Sequence, residues 1–184
     1  KEERRQAIIE AGLELFVRRG YAGTKIADIA ERVGMSVGLL FHYFDSKESL
    51  YEALVTIGVE GTKDAFSIPH EDPISFFYEV ARVTLACLRE GELSARIFVL
   101  MAQASMNESA PQSVKDLVRQ CTLIQDSIPI IKKGQRSGAI RKGNAHALSM
   151  AYWSSLQGIA ESVAYEPDTP LPDPDWIVDI IRDR

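Results

Sequence analysis

The residues best suited to chemistry lie in one stretch, Val37 to Lys47. Leu40 and Phe44, four apart, mark the inward stripe of a short helix. Val37, Leu39, Phe41, His42 and Tyr43 are left to point elsewhere, and an exposed aromatic-rich face is best explained as a contact surface. No two-residue alternation supports a strand here. Lys47 falls in the first turn of the next helical pattern, where unpaired amide N–H groups and the positive end of the helix dipole attract phosphate. An ordinary solvated lysine satisfies the same spacing. Arg18 and Arg19, in the last turn of an earlier pattern, suit either the helix dipole or a phosphate.

Catalytic and metal chemistry find no such footing. His42, His70 and His146 are scattered, no metal-ligand spacing occurs, and neither a Gly-rich phosphate loop nor a Ser/His/Asp set can be assembled. The expectation is therefore no enzyme, no metal and no cofactor. Cys87 and Cys121 fall in amphipathic patterns and are expected to be small buried hydrophobes.

Positioning these residues requires helices before and after them. Residues 2–19 carry Ile8, Ala11, Leu15 and Phe16 at helical spacing, and Gly20 ends that pattern. After the connector Tyr21-Ala22-Gly23, Thr24 is the expected N-cap of a second helix with Ile26, Ile29, Ala30 and Val33 inward. Gly34 stops it in the left-handed conformation, and Ser36 caps the next helix after a turn of helix-turn-helix length. Gly38 is expected where that helix passes close to the second. Asp45 with Glu48 three on has the pattern of a capping box, opening a long helix with Leu50, Leu54 and Ile57.

The loop 68–73 separates this region from four further helical patterns. The first carries Ile74, Phe77, Ala81, Thr84 and Leu88 on one face; the second, around Glu92 to Asn107, is apolar on nearly every side and is expected to be centrally buried. The third runs from Ala110 through Val114, Leu117, Val118, Cys121, Ile124 and Ile128 until Pro129 kinks or breaks it, and Gly138 closes its continuation. Asn144 caps the fourth, which has a large stripe (Leu148, Tyr152, Leu156, Ile159, Val163) beside a small one (Ala147, Ala151, Ser154, Gly158). One stripe for the core and one for another helix fits this pattern, as does a single core taking both. A proline-rich loop, 165–174, precedes a final pattern of Trp176, Ile177, Ile180 and Ile181 that runs to Arg184 without a stop signal. Because the chain also begins without Met, both ends are expected to be trimmed. Phe66, Phe77, Tyr78, Phe98, Met101, Met106, Cys121 and Trp153, with Thr84, Gln125 and Glu161 as polar anchors, suit an apolar ligand pocket and equally suit ordinary core packing.

Composition sets the outer bounds. A chain of 184 residues with 46% hydrophobic content can bury a core without metal or disulfides. With no long uncharged apolar run and no signal-peptide pattern, it is expected to be cytoplasmic and free of membrane. The net charge of −5 is unevenly placed: residues 1–50 hold eight basic and eight acidic side chains, so the whole deficit lies behind them. Overall acidity thus does not exclude a nucleic-acid surface at the front.

Gly20-Tyr21, Thr24, Ile29-Ala30, Gly34, Ser36-x-Gly38, Leu40, Phe44 and Ser46-Lys47-Glu48 with Leu50, taken in that order, resemble the DNA-binding domain of the TetR (tetracycline repressor) family. The resemblance covers about residues 4–52. It implies an all-α protein with a three-helix, helix-turn-helix head over residues 1–46. A larger helical ligand-binding and dimerisation domain would follow over residues 47–184, with 47–66 as the connecting helix. The implied function is a homodimeric repressor, released from a palindromic double-stranded DNA operator by a small and, from the apolar pocket residues, hydrophobic effector. Carried over residue by residue, it places Ser36 to Tyr43, Gly38 included, in the major groove. Thr24 and Lys25 would meet the DNA backbone, and Tyr43 and Lys47 would hold phosphates. Val37 and Leu39 would touch thymine methyl groups, and His42 would donate to a base or phosphate. The family often has Tyr at Phe41 and Lys at Val37, and neither residue present here can bind phosphate. Dimerisation would use the small stripe Ala147, Ala151, Ser154 and Gly158, with Trp176, Ile177, Ile180 and Ile181. A helical scaffold or adaptor dimer with a degenerate head is the alternative.

Overall fold

The computed structural model describes residues 1–183, so Arg184, the expected end of the last helical pattern, lies outside the described residues. Among the described residues ten helices follow in order: α1 (Glu2–Gly23), α2 (Ile26–Arg32), α3 (Val37–Phe41), α4 (Lys47–Ser67), α5 (Pro73–Glu90), α6 (Glu92–Met106), α7 (Gln112–Val118), α8 (Leu123–Ser137), α9 (Ala145–Tyr165) and α10 (Pro174–Val178). The one departure from helix and loop described is an isolated antiparallel bridge between Ile140 and Arg182. Two compact units divide the chain: Lys1–Glu60 with Arg96–Gln120, and Gly61–Ala95 with the residues from 121 onward. The division does not follow the expected boundary at 46/47. Leu50, Tyr51, Leu54 and Val55 of α4 are all buried, and Leu50 fills the space beside Gly12 of α1.

In the first unit α1 buries Ile8, Ile9, Leu13 and Phe16, and Gly20 interrupts it at φ 70°, a conformation that other residues adopt only with strain. A last turn follows to Gly23. Gly34 (φ 65°) closes α2 as expected, its N–H donating to Glu31 O and that of Met35 to Ala30 O. Ser36 caps α3 by accepting from Leu39 N–H at 3.2 Å. Three local expectations need correction. Thr24 is not the cap of α2; Lys25 occupies that position without a side-chain bond, while Thr24 is turned inward at 1% exposure. The box that opens α4 joins Ser46 and Ser49, not Asp45 and Glu48: each serine N–H donates to the other's Oγ at 3.0 Å. Caps of this kind contribute about 1 kcal/mol. Gly38 is exposed, and a Cβ there would meet nothing, so α2–α3 packing does not require it.

α6 and α7 complete this unit. Gln103 Nε2 donates to Val17 O at 3.0 Å, and Met101 lies where a side chain on Gly58 would stand. The centrally buried helix is not realised: Leu100 and Ala104 are buried, Ile97 to Val99 are half-buried, and Met106 is exposed.

The second unit is built on α5, opened by an Asp72/Ser75 capping box with Pro73 in the first turn. Its buried face is Phe76, Phe77, Val80, Ala81, Leu85 and Leu88, which leaves Thr84 at the margin and turns Cys87 outward, against the expectation of a buried thiol. α8 and α9 pack side by side and are joined by polar links: Trp153 Nε1 donates to Ser127 Oγ at 2.8 Å and Ser149 Oγ to Ile124 O at 2.8 Å. The helix break expected at Pro129 falls instead at residues 119–122. Pro129 stays inside α8 on its exposed side, where the carbonyl it leaves unpaired is offered to water. Gly138 (φ 78°) ends α8 and Asn144 caps α9, accepting from Ala147 N–H at 3.0 Å. The final pattern forms only the short α10. Ile177, Val178 and Ile181 join Phe76, Phe77, Tyr152 and Leu156 in one core, and the Tyr152 hydroxyl donates to Phe77 O.

Candidate nucleic-acid interface

α3 displays the expected face. Leu40 and Phe44 are sealed at 0% and 6% exposure, whereas Phe41 is 42% exposed, His42 is exposed, and Val37, Leu39 and Tyr43 are half-buried. The helix is one turn shorter than the Ser36–Tyr43 stretch: His42 is its C-cap, and Tyr43 and Phe44 follow in a turn bonded to Leu40 O. Ser36 spends a lone pair on its cap and keeps its hydroxyl proton for an outside acceptor. Gly38, with open space at its Cβ position, lets another molecule approach the backbone closely. Lys25 is exposed at the start of α2.

Two of the residues expected to meet phosphate are bonded to backbone carbonyls of this chain. The buried Thr24 hydroxyl faces Leu15 O at 3.1 Å and Gly20 O at 2.8 Å, both in the closing turns of α1. Lys47 Nζ donates to Tyr21 O at 2.8 Å and Thr24 O at 3.0 Å and lies 4.2 Å from the centre of the Tyr21 ring. It is thus not a plain surface lysine. Three arginines near this corner are paired on the surface: Arg19 with Asp28 at 2.7 Å, Arg32 with Glu14 at 2.7 Å and Arg18 with Glu14 at 3.4 Å. Exposed pairs of this kind are worth up to about 1 kcal/mol and exchange readily for another anion.

Sequence reasoning missed the aromatic cluster beneath Lys47. Tyr51 stands edge-on to Phe16 at 4.9 Å and tilted to Tyr21 at 4.9 Å. Burial, with Tyr21 beside it, pushes the Tyr51 hydroxyl up to about 12, and burial, with Glu48 and Glu52 nearby, raises that of Tyr21. The signal in the chain was the aromatic immediately after the helix-breaking Gly20, read as part of a connector.

The expected ligand residues are shared between the two units. Phe98, Met101 and Met106 belong to the first unit and the others to the second. Within the second, Phe77 is sealed in the core, Phe66 lies 6.3 Å from Trp153, and Tyr78 and Thr84 are half-buried. The Cys121 thiol, which burial pushes up in pKa, accepts from Thr62. Gln125 and Glu161 lie on the exterior, as does Met106 in its own unit at 82% exposure. A cavity of about 270 Å³ in the second unit is lined by other residues, among them Leu88, Arg89, Val163 and Leu171. Of the expected dimer residues, Ala147, Ala151, Ser154 and Gly158 form an exposed stripe on α9, opposite Tyr152, Leu156 and Val163. Trp176 is exposed and Ile180 half-buried, but Ile177 and Ile181, at 5% and 0% exposure, belong to this chain's own core and are closed to a partner. Among the described residues no helix is long and apolar enough to cross a membrane.

A capped helix-turn-helix with an outward aromatic face, carried on an all-α chain, defines a class: DNA-binding regulatory proteins. Residues 8–54 match the profile of the bacterial regulatory proteins of the tetR family. Over 161 residues the chain is 28% identical to the transcriptional regulator RutR of Escherichia coli K12, across 86% of this chain and 74% of RutR. PfmR, a TetR family transcriptional regulator from Thermus thermophilus, shares the fold with a TM-score of 0.67 at 22% identity, over 94% of this chain and 93% of PfmR. AibR, solved with isovaleryl coenzyme A and operator DNA, shares it with a TM-score of 0.70 at 19% identity, over 96% and 94%. Residues 8–54 are thus a DNA-binding domain of the tetR-family type, and the chain is similar over most of its length to DNA-binding transcriptional regulators.

Proposed function

We propose that the protein is a cytoplasmic, homodimeric repressor without enzymatic activity that leaves its operator when a small hydrophobic molecule binds. Residues 1–46 are the reading head, and residues 47–184 receive the effector and the second copy, with 47–66 as the link. The observation that carries the DNA reading is the division of α3 and its following turn: Leu40 and Phe44 inward, with Phe41 and His42 open to solvent. Val37 and Leu39 touch thymine methyl groups, His42 donates to a base or phosphate, and Ser36, Tyr43 and Lys25 hold phosphates, with Gly38 admitting the DNA backbone. Two such heads, related by a two-fold axis, read half-sites about 34 Å apart.

The small stripe of α9 supports pairing with a second copy, because side chains of this size allow two helices to approach closely. Half-buried Phe66, Tyr78 and Trp153 against the second unit's core support an apolar effector there, and AibR's isovaleryl coenzyme A is a precedent for an acyl compound. Effector binding acts through differential affinity for DNA-competent and DNA-incompetent states.

The test is selection from randomised duplexes, followed by footprinting of the recovered site. A palindromic site whose base preferences change with Val37→Ala and Leu39→Ala is the expected result. Weak retardation of all DNA with no preferred site would favour the scaffold alternative. Native mass spectrometry that finds only small polar ligands would overturn the effector class.

A further inference from the structure

We propose that the cavity between the last turns of α5 and α9 and the loop after α9 binds a small zwitterion with an aliphatic side chain, of the α-amino-acid class. This goes beyond the effector reading above, since the cavity lining includes none of Phe66, Tyr78 and Trp153. Its volume of about 270 Å³ lies just under the roughly 300–1,000 Å³ of pockets for drug-sized ligands, which suits a smaller occupant.

The lining offers an apolar floor and two opposite charges. Leu88 and Val163, each 3% exposed, form the floor, and half-buried Leu171 extends it. Arg89 enters from α5 and Asp168 from the loop; both are exposed, and among the described residues neither is ion-paired, with the other or elsewhere. The loop wall is held in place. Pro167 and Pro170 each fix a backbone angle, and Thr169 turns the loop back on α9, its N–H and hydroxyl donating to Glu166 O at 3.0 and 2.6 Å. Glu166 N–H in turn donates to Ser162 O at 2.8 Å, so the backbone carrying Asp168 needs little further ordering on binding.

A zwitterion satisfies every part of this lining at once. Its carboxylate takes the planar fork of the Arg89 guanidinium. Its ammonium, set against Asp168, also meets the negative dipole ends of α5 and α9, both of which finish at the cavity. Its aliphatic part covers Leu88, Val163 and Leu171. An acid alone brings a second negative charge to Asp168, an amine alone a second positive charge to Arg89, and a purely apolar molecule covers both charges and pairs neither.

The experiment labels the leucine and valine methyl groups of the protein and follows their resonances while L-leucine is added. Two halves of that probe are titrated beside it: isocaproate, which lacks the ammonium, and isoamylamine, which lacks the carboxylate. Saturable shifts at Leu88, Val163 and Leu171 are expected, with either half binding about tenfold more weakly than L-leucine. Arg89→Gln should weaken L-leucine and isocaproate and leave isoamylamine unchanged. Asp168→Asn should weaken L-leucine and isoamylamine and leave isocaproate unchanged. No saturation, or saturable shifts confined to other methyl groups, overturns the proposal. So does a half that binds as tightly as L-leucine, or a variant that binds L-leucine as wild type does. Both charged side chains are exposed and stand outside the core, and the three probes on wild type carry the test should either variant fail to fold. The titrations contain no DNA, so their failure is distinguishable from failure of the repressor reading.

Discussion

Thr24→Val separates a residue that reads DNA from one that closes the fold beneath it. Valine keeps the shape of the side chain and removes its only polar group. In the structure that hydroxyl is buried, at 1% exposure, between Leu15 O at 3.1 Å and Gly20 O at 2.8 Å. Water cannot replace it, so a carbonyl is left buried with its partner removed, a loss of about 1–3 kcal/mol. For a chain of this length about 2 kcal/mol corresponds to a Tm lower by about 4–8 °C. Thr24→Ser keeps the donor and loses one methyl, which costs about 1 kcal/mol, so serine should recover a large part of the loss. Both tryptophans, Trp153 and Trp176, lie in the second unit, which makes their fluorescence a poor reporter of this site. Amide hydrogen exchange over α1–α4 reads it directly, with faster exchange expected in the last turn of α1 and at the start of α2. Unchanged protection together with a salt slope for DNA binding reduced by about 0.9 per protomer would refute the reasoning, because the hydroxyl would then have been facing phosphate.

Gly134→Ala should destabilise by about 1–2 kcal/mol net of the helix-propensity gain, in urea titrations at constant m. The new Cβ would stand 2.5, 2.6 and 3.1 Å from Cδ1, Cγ1 and Cβ of Ile140, which is buried and held by its bridge to Arg182. Gly58→Ala should be close to neutral, because the atoms in its way are Sδ and Cγ of the flexible Met101, whose movement costs about 1 kcal/mol against a propensity gain of similar size. On the alkaline side, stability is complete below about pH 10, where the unfolded tyrosine is still protonated, and falls as pH rises through the folded Tyr51 value of about 12. Tyrosinate absorbance and helical circular dichroism followed together check that window. Ala151→Arg places a long cation on the exposed small stripe of α9, and sedimentation should show monomers with unchanged helix content; intact dimers would move the interface elsewhere.

How much of this could be read in the residues depends on where their partners lie in the chain. Gly34, Ser36, Gly138 and Asn144 act on atoms within five positions of themselves, and each performs its expected part. Leu40 and Phe44 were legible because a helix fixes which of its residues share a face. Thr24 and Lys47 were not, because their acceptors are backbone carbonyls around the end of α1, nine and 26 positions away in the longest cases. Periodicity locates a helix end but does not say which side chain will serve it. The short α10 fails for a related reason: Ile177, Ile180 and Ile181 have helical spacing, but Arg141 binds the carbonyls of Asp179, Ile181 and Arg182 and holds that segment against residues 139–141. At Pro129 the break expected from a missing N–H does not occur; the proline is on the exposed side of α8, where water can reach the carbonyl it leaves without a donor. The family pattern carries the same ambiguity into the site. Thr24 and Lys47 match it by type and position, yet both are engaged by backbone in the free protein, so a shared motif residue can report the folding of the reading corner rather than contact with what the corner reads.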